Sequence, residues 1–149
     1  MKAVVTRVNS ASVSIDGSVC GRIGKGFLIL LGVAPEDTPE KCRKLAEKIL
    51  GLRVFRDEND KMNLSLSDVG GEVLVVSQFT LYGDARGGRR PSFIAAARPE
   101  EANERYEQLV AAWRAQGIHV ETGRFRADMQ VSLVNDGPVT ILMDSTKAF

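Results

Sequence analysis

The chain has 149 residues, the length of a single domain over 1–149, and its 44% apolar and 26% charged content is that of a folded globule, which excludes a disordered chain. Twenty basic side chains against nineteen acidic ones give a net charge of +1, so the molecule as a whole is no polycation. The longest apolar run, Phe27 to Ala34, falls far short of the roughly 20 residues that span a bilayer. The N-terminus turns polar after five residues, too soon for a signal peptide, and Cys20 and Cys42 make neither a disulfide framework nor a four-ligand zinc site. A reducing cytoplasm, no membrane partner, no metal and no cofactor are therefore expected.

In chain order, Ala3 to Val8 and Ser12 to Asp16 read as strands, with Asp16-Gly17 as a hairpin turn into a strand from Ser18 to Ile23. Phe27 to Val33 is continuously apolar and suits a strand buried on both faces. Thr38-Pro39 reads as a cap and first helical position, Cys42, Leu45, Ala46 and Ile49 share one helical face, and Gly51 ends that helix. Leu52 to Arg56 reads as a short strand, Asp57 to Lys61 as a turn, and Glu72 to Phe79 as another strand. A second helix is predicted from Pro99 to Gln116 with a buried stripe of Ala102, Tyr106, Leu109, Val110 and Trp113, stopped by Gly117. Ile118 to Glu121, Met129 to Val134 and Val139 to Asp144 close the chain as strands. The expected class is α+β, a largely antiparallel sheet or open barrel with two helices packed on it.

The absences narrow the chemistry. The one histidine, His119, lies between Ile118 and Val120 and points outward if they point inward, so no Ser-His-Asp or Cys-His machine can be built. There is no HExxH, CxxC, Walker loop or GxGxxG, and Gly24-Lys25-Gly26 reads as a turn. Between Ala85 and Pro99 stand four arginines (Arg86, Arg89, Arg90 and Arg98) and no acid, a local +4 that leaves −3 for the rest. Such a cluster is either a solvated loop or a phosphate-facing patch.

Two segments stand out. In Ser77-Gln78-Phe79-Thr80-Leu81-Tyr82-Gly83 an apolar strand opens abruptly into a polar loop, where unpaired backbone N–H groups can face a ligand; Ser77 and Thr80 can equally serve only to satisfy local backbone groups. In Asn135-Asp136-Gly137-Pro138-Val139-Thr140 a turn is signalled between two strands, and a cis Gly137–Pro138 bond would aim two carbonyls the same way.

With these segments quoted, the chain resembles the D-aminoacyl-tRNA deacylases (the D-tyrosyl-tRNA deacylase family) over essentially its whole length. KAVVTRVNSASVSIDG, MNLSL, SQFTLYGD, GRRPSF and NDGPVT stand in the family's order; Ser77 to Thr80 match its SQxT motif and Asn135 to Thr140 its NxGPxT motif. The resemblance implies hydrolysis of the ester joining a D-amino acid to the terminal ribose of tRNA, by a homodimer with an active site at each end of the subunit interface. It implies that Gly137 and Pro138 form a cis pair inserted into the partner's site, holding the α-amino group and rejecting L side chains. Glycine has no side chain to reject, so glycyl-tRNA is a second expected substrate. Arg7 matches the family's arginine on the first strand and would help hold this motif; Thr140, which closes the motif, is expected with it among the substrate-binding residues, and Met129 either lines the site or simply packs the core. The Phe79 N–H is the expected oxyanion donor, Gln78 positions or donates, Ser77 belongs to the same motif, and Thr80 lines the pocket without a base to make it a nucleophile. Arg86, Arg89 and Arg90 are the expected contacts to tRNA phosphates. A non-catalytic RNA-binding module and an esterase with a Thr80 nucleophile are the competing readings.

Overall fold

The computed structural model describes residues 1–149. Its first strand, β1 (Lys2–Ile15), is unbroken where the sequence suggested two strands. Exposed Asn9 and Ser10 read as an interruption, but the chain passes through them with irregular pairing instead of turning. Asp16 and Gly17 both have positive φ, the geometry of a tight hairpin turn, and lead into β2 (Ser18–Ile23). Then follow β3 (Gly26–Gly32) and α1 (Pro39–Leu50), whose Thr38 cap accepts from the Lys41 N–H at 3.2 Å.

The predicted strand at Leu52 to Arg56 shrinks to β4 (Phe55–Arg56), paired with β5 (Met62–Leu64) in a separate ribbon, while Leu52 and Val54 pack on the core. β6 (Glu72–Ser77) stops two residues short of the expected end, where a short 3-10 helix takes over at Phe79–Tyr82. α2 (Pro99–Ala115) buries the expected stripe of Ala102, Tyr106, Leu109, Val110 and Trp113. β7 (Val120–Thr122) and β8 (Gln130–Asp144) complete the chain.

β1 is the organising strand: antiparallel β8 runs along one edge, and antiparallel β3 and β2 share the other. The expectation of a largely antiparallel sheet needs correction, because β6 pairs with β3, and β7 with β6, in parallel. Each of these pairs is joined by a crossover that contains a helix, which is what a parallel neighbour requires. The sheet is therefore mixed. It curls toward closure: a Cβ placed on Gly21 of β2 would stand 2.8 Å from the Thr122 carbonyl of β7, so only glycine lets these strands approach so closely.

Two cores result. Phe27, Ile29, Leu31, Val73 and Val75 face the helices and pack with Trp113, Leu109 and Ile49. Leu28, Leu74 and Val76 point the other way, into a smaller cluster with Val8, Val13 and Ile23. β3 and β6 are thus buried on both faces, as a continuous apolar run leads one to expect. Burying Trp113 needs its indole N–H satisfied, and it donates to the Ala46 carbonyl at 3.2 Å. No helix is long and apolar enough to cross a membrane. His119 is exposed at the edge near Glu72 and Glu121, as its place between two inward neighbours implied.

Candidate active site

The end of β6 delivers the first segment to a cavity of about 640 Å³. Ser77 is the last paired residue of the strand, and the Gln78 N–H still donates to the Leu31 carbonyl at 2.8 Å. The backbone then tightens into the 3-10 helix, whose first internal bonds are Leu81 N–H to the Gln78 carbonyl and Gly83 N–H to the Thr80 carbonyl. The Phe79 and Thr80 N–H groups precede those donors, so the helix itself leaves them without a partner. Gly32 makes room for this turn: a Cβ there would stand 3.0 Å from the Gln78 carbonyl and 3.2 Å from the Tyr82 ring.

Ser77, Gln78, Phe79 and Thr80 all line the cavity. The Gln78 side-chain amide donates to the Thr80 hydroxyl. An amide is no base, and neither charged lining residue, Arg126 or Asp128, is hydrogen-bonded to the Thr80 hydroxyl. Phe79 stacks edge-on against Phe93 with centroids 5.2 Å apart, forming one wall that continues through Ala96, Ala97 and the start of α2. Ala97 is tied to the end of β3 by its N–H bond to the Val33 carbonyl, 2.9 Å. Phe125 to Met129 line the cavity as well. Met129 lines the cavity and also packs against the smaller core cluster.

The second segment is not a turn between two strands. β8 runs through it, pairing Asn135 with Val8 and Thr140 with Thr6, so that residues 136–139 loop out opposite Arg7. The Asn135 side chain braces this bulge from both sides, accepting from the Val139 N–H at 2.9 Å and donating to the Thr140 hydroxyl at 3.1 Å. The sequence alone assigns Asn135 no role of its own beyond its place in the motif. Its Asx position two residues before a Gly-Pro pair is the signal that could have marked it. The Gly137–Pro138 bond is cis, and both residues are exposed.

Beneath them Arg7 is 2% exposed, which is costly for a cation unless its donors are used. Its Nε donates to the Asp136 carbonyl at 3.0 Å and lies 3.2 Å from the Asp136 carboxylate, and its Nη1 donates to the Val54 carbonyl at 2.5 Å. Arg7 and Thr140 therefore fix the corner from below and from the side. Neither Gly137, Pro138, Arg7 nor Thr140 lines the chain's own cavity. The structure brings the residues together as two clusters, a pocket and an exposed corner.

The arginine cluster divides as well. Asp84 N–H and C=O bond to Ser92 at 2.8 and 2.9 Å, closing residues 84–92 into a loop. Arg86 is committed within it: its Nε and Nη2 fork onto the Asp84 carboxylate at 2.9 and 2.7 Å. That hydrogen bonding from Arg86 holds the Asp84 carboxyl far below the usual carboxylate range. The local +4 between Ala85 and Pro99 is therefore reduced by Asp84, which stands one residue before that segment. Arg89 and Arg90 are exposed and form no ion pair in the chain.

A family profile described as D-Tyr-tRNA(Tyr) deacylase matches residues 4–144. The D-aminoacyl-tRNA deacylase of Koribacter versatilis is 62% identical over 149 residues, all of both chains, and that of Thermotoga petrophila is 56% identical over the same span. Among solved structures, one titled c-Myc DNA Unwinding Element Binding Protein superposes with a TM-score of 0.91 at 41% identity, covering 97% of this chain and 98% of that one. A probable eukaryotic D-amino acid tRNA deacylase shares the fold at a TM-score of 0.80 and 15% identity, over 95% of this chain and 97% of that one. Pocket, cis corner and full-length similarity agree: the chain belongs to the D-Tyr-tRNA(Tyr) deacylase family.

Proposed function

We propose that the protein hydrolyses the ester of D-aminoacyl-tRNA, releasing free D-amino acid and tRNA, and that it selects by shape. The observation that carries this reading is the exposed cis Gly137–Pro138 corner, held from beneath by buried Arg7 and lying off the chain's own cavity. A rigid pair of main-chain carbonyls accepts hydrogen bonds from the substrate's α-ammonium. With the amine fixed there, an L side chain runs into the corner and a D side chain points away from it. Glycine passes the same filter, which makes glycyl-tRNA a substrate.

In this reading the corner enters the partner's pocket across a two-fold homodimer, which supplies a corner to each cavity. β8 supports such an assembly: its outer edge is unpaired and exposes Leu133, Val134 and Leu142, a combination that a monomer ordinarily covers or blunts. Chemistry in the pocket rests on main-chain donors. Water attacks the ester carbonyl, the C–O bond to the ribose breaks, and the proton that the water gives up reaches the departing oxygen through the neighbouring ribose hydroxyl. The Phe79 N–H, with Thr80 N–H beside it, stabilises the intervening oxyanion, and loss of one such donor costs about 2.7–4 kcal/mol in other enzymes. Gln78 positions the substrate, while Thr80 lines the site. Arg89 and Arg90 meet acceptor-stem phosphates, giving an affinity that falls with salt.

The test is release of amino acid from D-tyrosyl-, L-tyrosyl- and glycyl-tRNA. Release from the D and glycyl forms with the L form spared is the expected result. Release from none of them leaves a non-catalytic RNA-binding module, and equal release of D and L forms removes the corner from the reading.

A further inference from the structure

The cavity lining carries a residue that neither the pocket chemistry nor the corner uses. The Ala127 N–H bonds to the Arg124 carbonyl at 3.2 Å, closing a turn whose third residue, Arg126, has φ 67°. That is the left-handed region which glycine occupies freely and other side chains enter at a cost. Strain of this kind is concentrated where a side chain is wanted in a particular place. Arg126 is exposed, and it is the single cationic residue on the cavity lining. Several arginines are already engaged, Arg7 with the corner, Arg86 with Asp84, Arg105 with the Asp37 carbonyl and Arg114 with the Val120 carbonyl, and the unengaged Arg22, Arg89, Arg90, Arg98 and Arg124 lie off the lining. Arg126 makes no ion pair and no side-chain hydrogen bond within the chain.

We propose that Arg126 binds the phosphate on the 5′ side of the 3′-terminal nucleotide, and so sets the register of the aminoacyl end in the cavity. This rests on the functional reading above. With the ester at the Phe79 end of the pocket, that phosphate is the nearest anion of the substrate, a single nucleoside away. A guanidinium fork matches two phosphate oxygens, and a charge-assisted pair of this kind is stronger than a neutral hydrogen bond. Asp128, the lining's one carboxylate, repels a phosphate and leaves Arg126 as the only attractive charge there. Arg89 and Arg90 stand outside the lining and act on the stem, so the two contacts are separable.

Arg126→Gly separates charge from conformation, because glycine relieves the left-handed backbone while deleting the fork. On D-tyrosyl-tRNA the variant is expected to show KM raised about tenfold, kcat within about twofold, and a melting temperature no lower than the parent's. The slope of log kcat/KM against log salt is expected to shrink by about 0.7, the value for one phosphate contact on a single strand. Two minimal substrates isolate the contact. On 2′(3′)-O-D-tyrosyl-adenosine, which has no phosphate, parent and variant should act alike; on its 5′-monophosphate the parent should be faster. Unchanged KM and salt slope overturn the inference, as does an equal loss on both minimal substrates, which marks a packing role. A parent inactive on D-tyrosyl-tRNA overturns the functional reading itself, and this inference with it.

Discussion

Replacing Gly137 by alanine adds one methyl group at the corner, and the structure says what it meets. A Cβ there would stand 2.7 Å from Arg7 Nη2 and 2.9 Å from the Val139 side chain, on a backbone whose φ of 124° disfavours any L residue. The guanidinium is the far end of a flexible side chain, but it is pinned to Val54 and Asp136 and cannot retreat without losing a charge-assisted bond. The backbone strain costs about 1–3 kcal/mol and the bond about 1.5–3 kcal/mol, so a loss of about 3 kcal/mol is expected, part of the strain being absorbed by movement of the bulge. At about 2–4 °C per kcal/mol for a chain of this size, the melting temperature should fall by about 6–12 °C. A domain with about 5–15 kcal/mol to spare remains folded at 25 °C. Movement of the carbonyl pair by about 1 Å should slow D-tyrosyl-tRNA deacylation by about 10–100-fold. Melting followed by circular dichroism and a timed release assay at 25 °C measure the two effects on one preparation. A folded Gly137→Ala variant with parental rate and parental rejection of L-tyrosyl-tRNA refutes the reasoning.

Thr80→Val should keep deacylation within about tenfold of the parent, since no base activates the hydroxyl; complete loss in a timed release assay points to a nucleophile instead. Arg89→Ala with Arg90→Ala should weaken tRNA binding and flatten its salt dependence, with a slope reduced by up to about 1.8 if both contact duplex phosphates, whereas Arg86→Ala should do less because Asp84 already occupies its fork. Titration of binding against salt distinguishes them. Asp37→Ala should destabilise the fold by about 3–5 kcal/mol in urea unfolding, because Asp37 and the Met1 ammonium are both buried and paired, with Ser145 donating to the same carboxylate at 3.0 Å.

The parts of the fold that were legible from the residues are those fixed by neighbours close in the chain. Thr38-Pro39 sets the start of α1, and the spacing from Ala102 to Trp113 sets the buried face of α2, through contacts within a turn or two of helix. The long strands were not legible in the same way. Asn9-Ser10 and Asn135-Asp136-Gly137-Pro138 carry turn residues, and only the pairing of β1 with β8, more than a hundred residues apart, makes the chain continue straight through them. Parallel pairing of β3, β6 and β7 depends on where the crossovers return, which no local pattern encodes.

The site divides along the same line. Ser77 to Thr80 announce themselves by an apolar strand ending in polar residues, and the Gly-Pro pair by its composition. The separation of pocket and corner is tertiary, and so is the burial of Arg7 beneath the bulge. Arg126 is not legible in the sequence, because an arginine at a left-handed turn position looks like any other surface cation until φ is known. Asp84, by contrast, stood two residues from Arg86 in the sequence, close enough to be counted with it.

Supply of the corner from the other subunit is open to a direct trial by complementation. Gly137→Ala spoils the corner and leaves the pocket, while Ala96→Phe, at a half-buried lining position outside the core, fills the pocket and leaves the corner; each alone should be nearly inactive on D-tyrosyl-tRNA. Unfolded together in equal amounts and refolded, half the dimers pair one of each, and one of their two sites combines an intact pocket with an intact corner. Recovery of about a quarter of the parental rate is the predicted result. No recovery above the two separate variants, in a mixture shown by mass to contain the mixed dimer, means that pocket and corner act within one chain and contradicts the account.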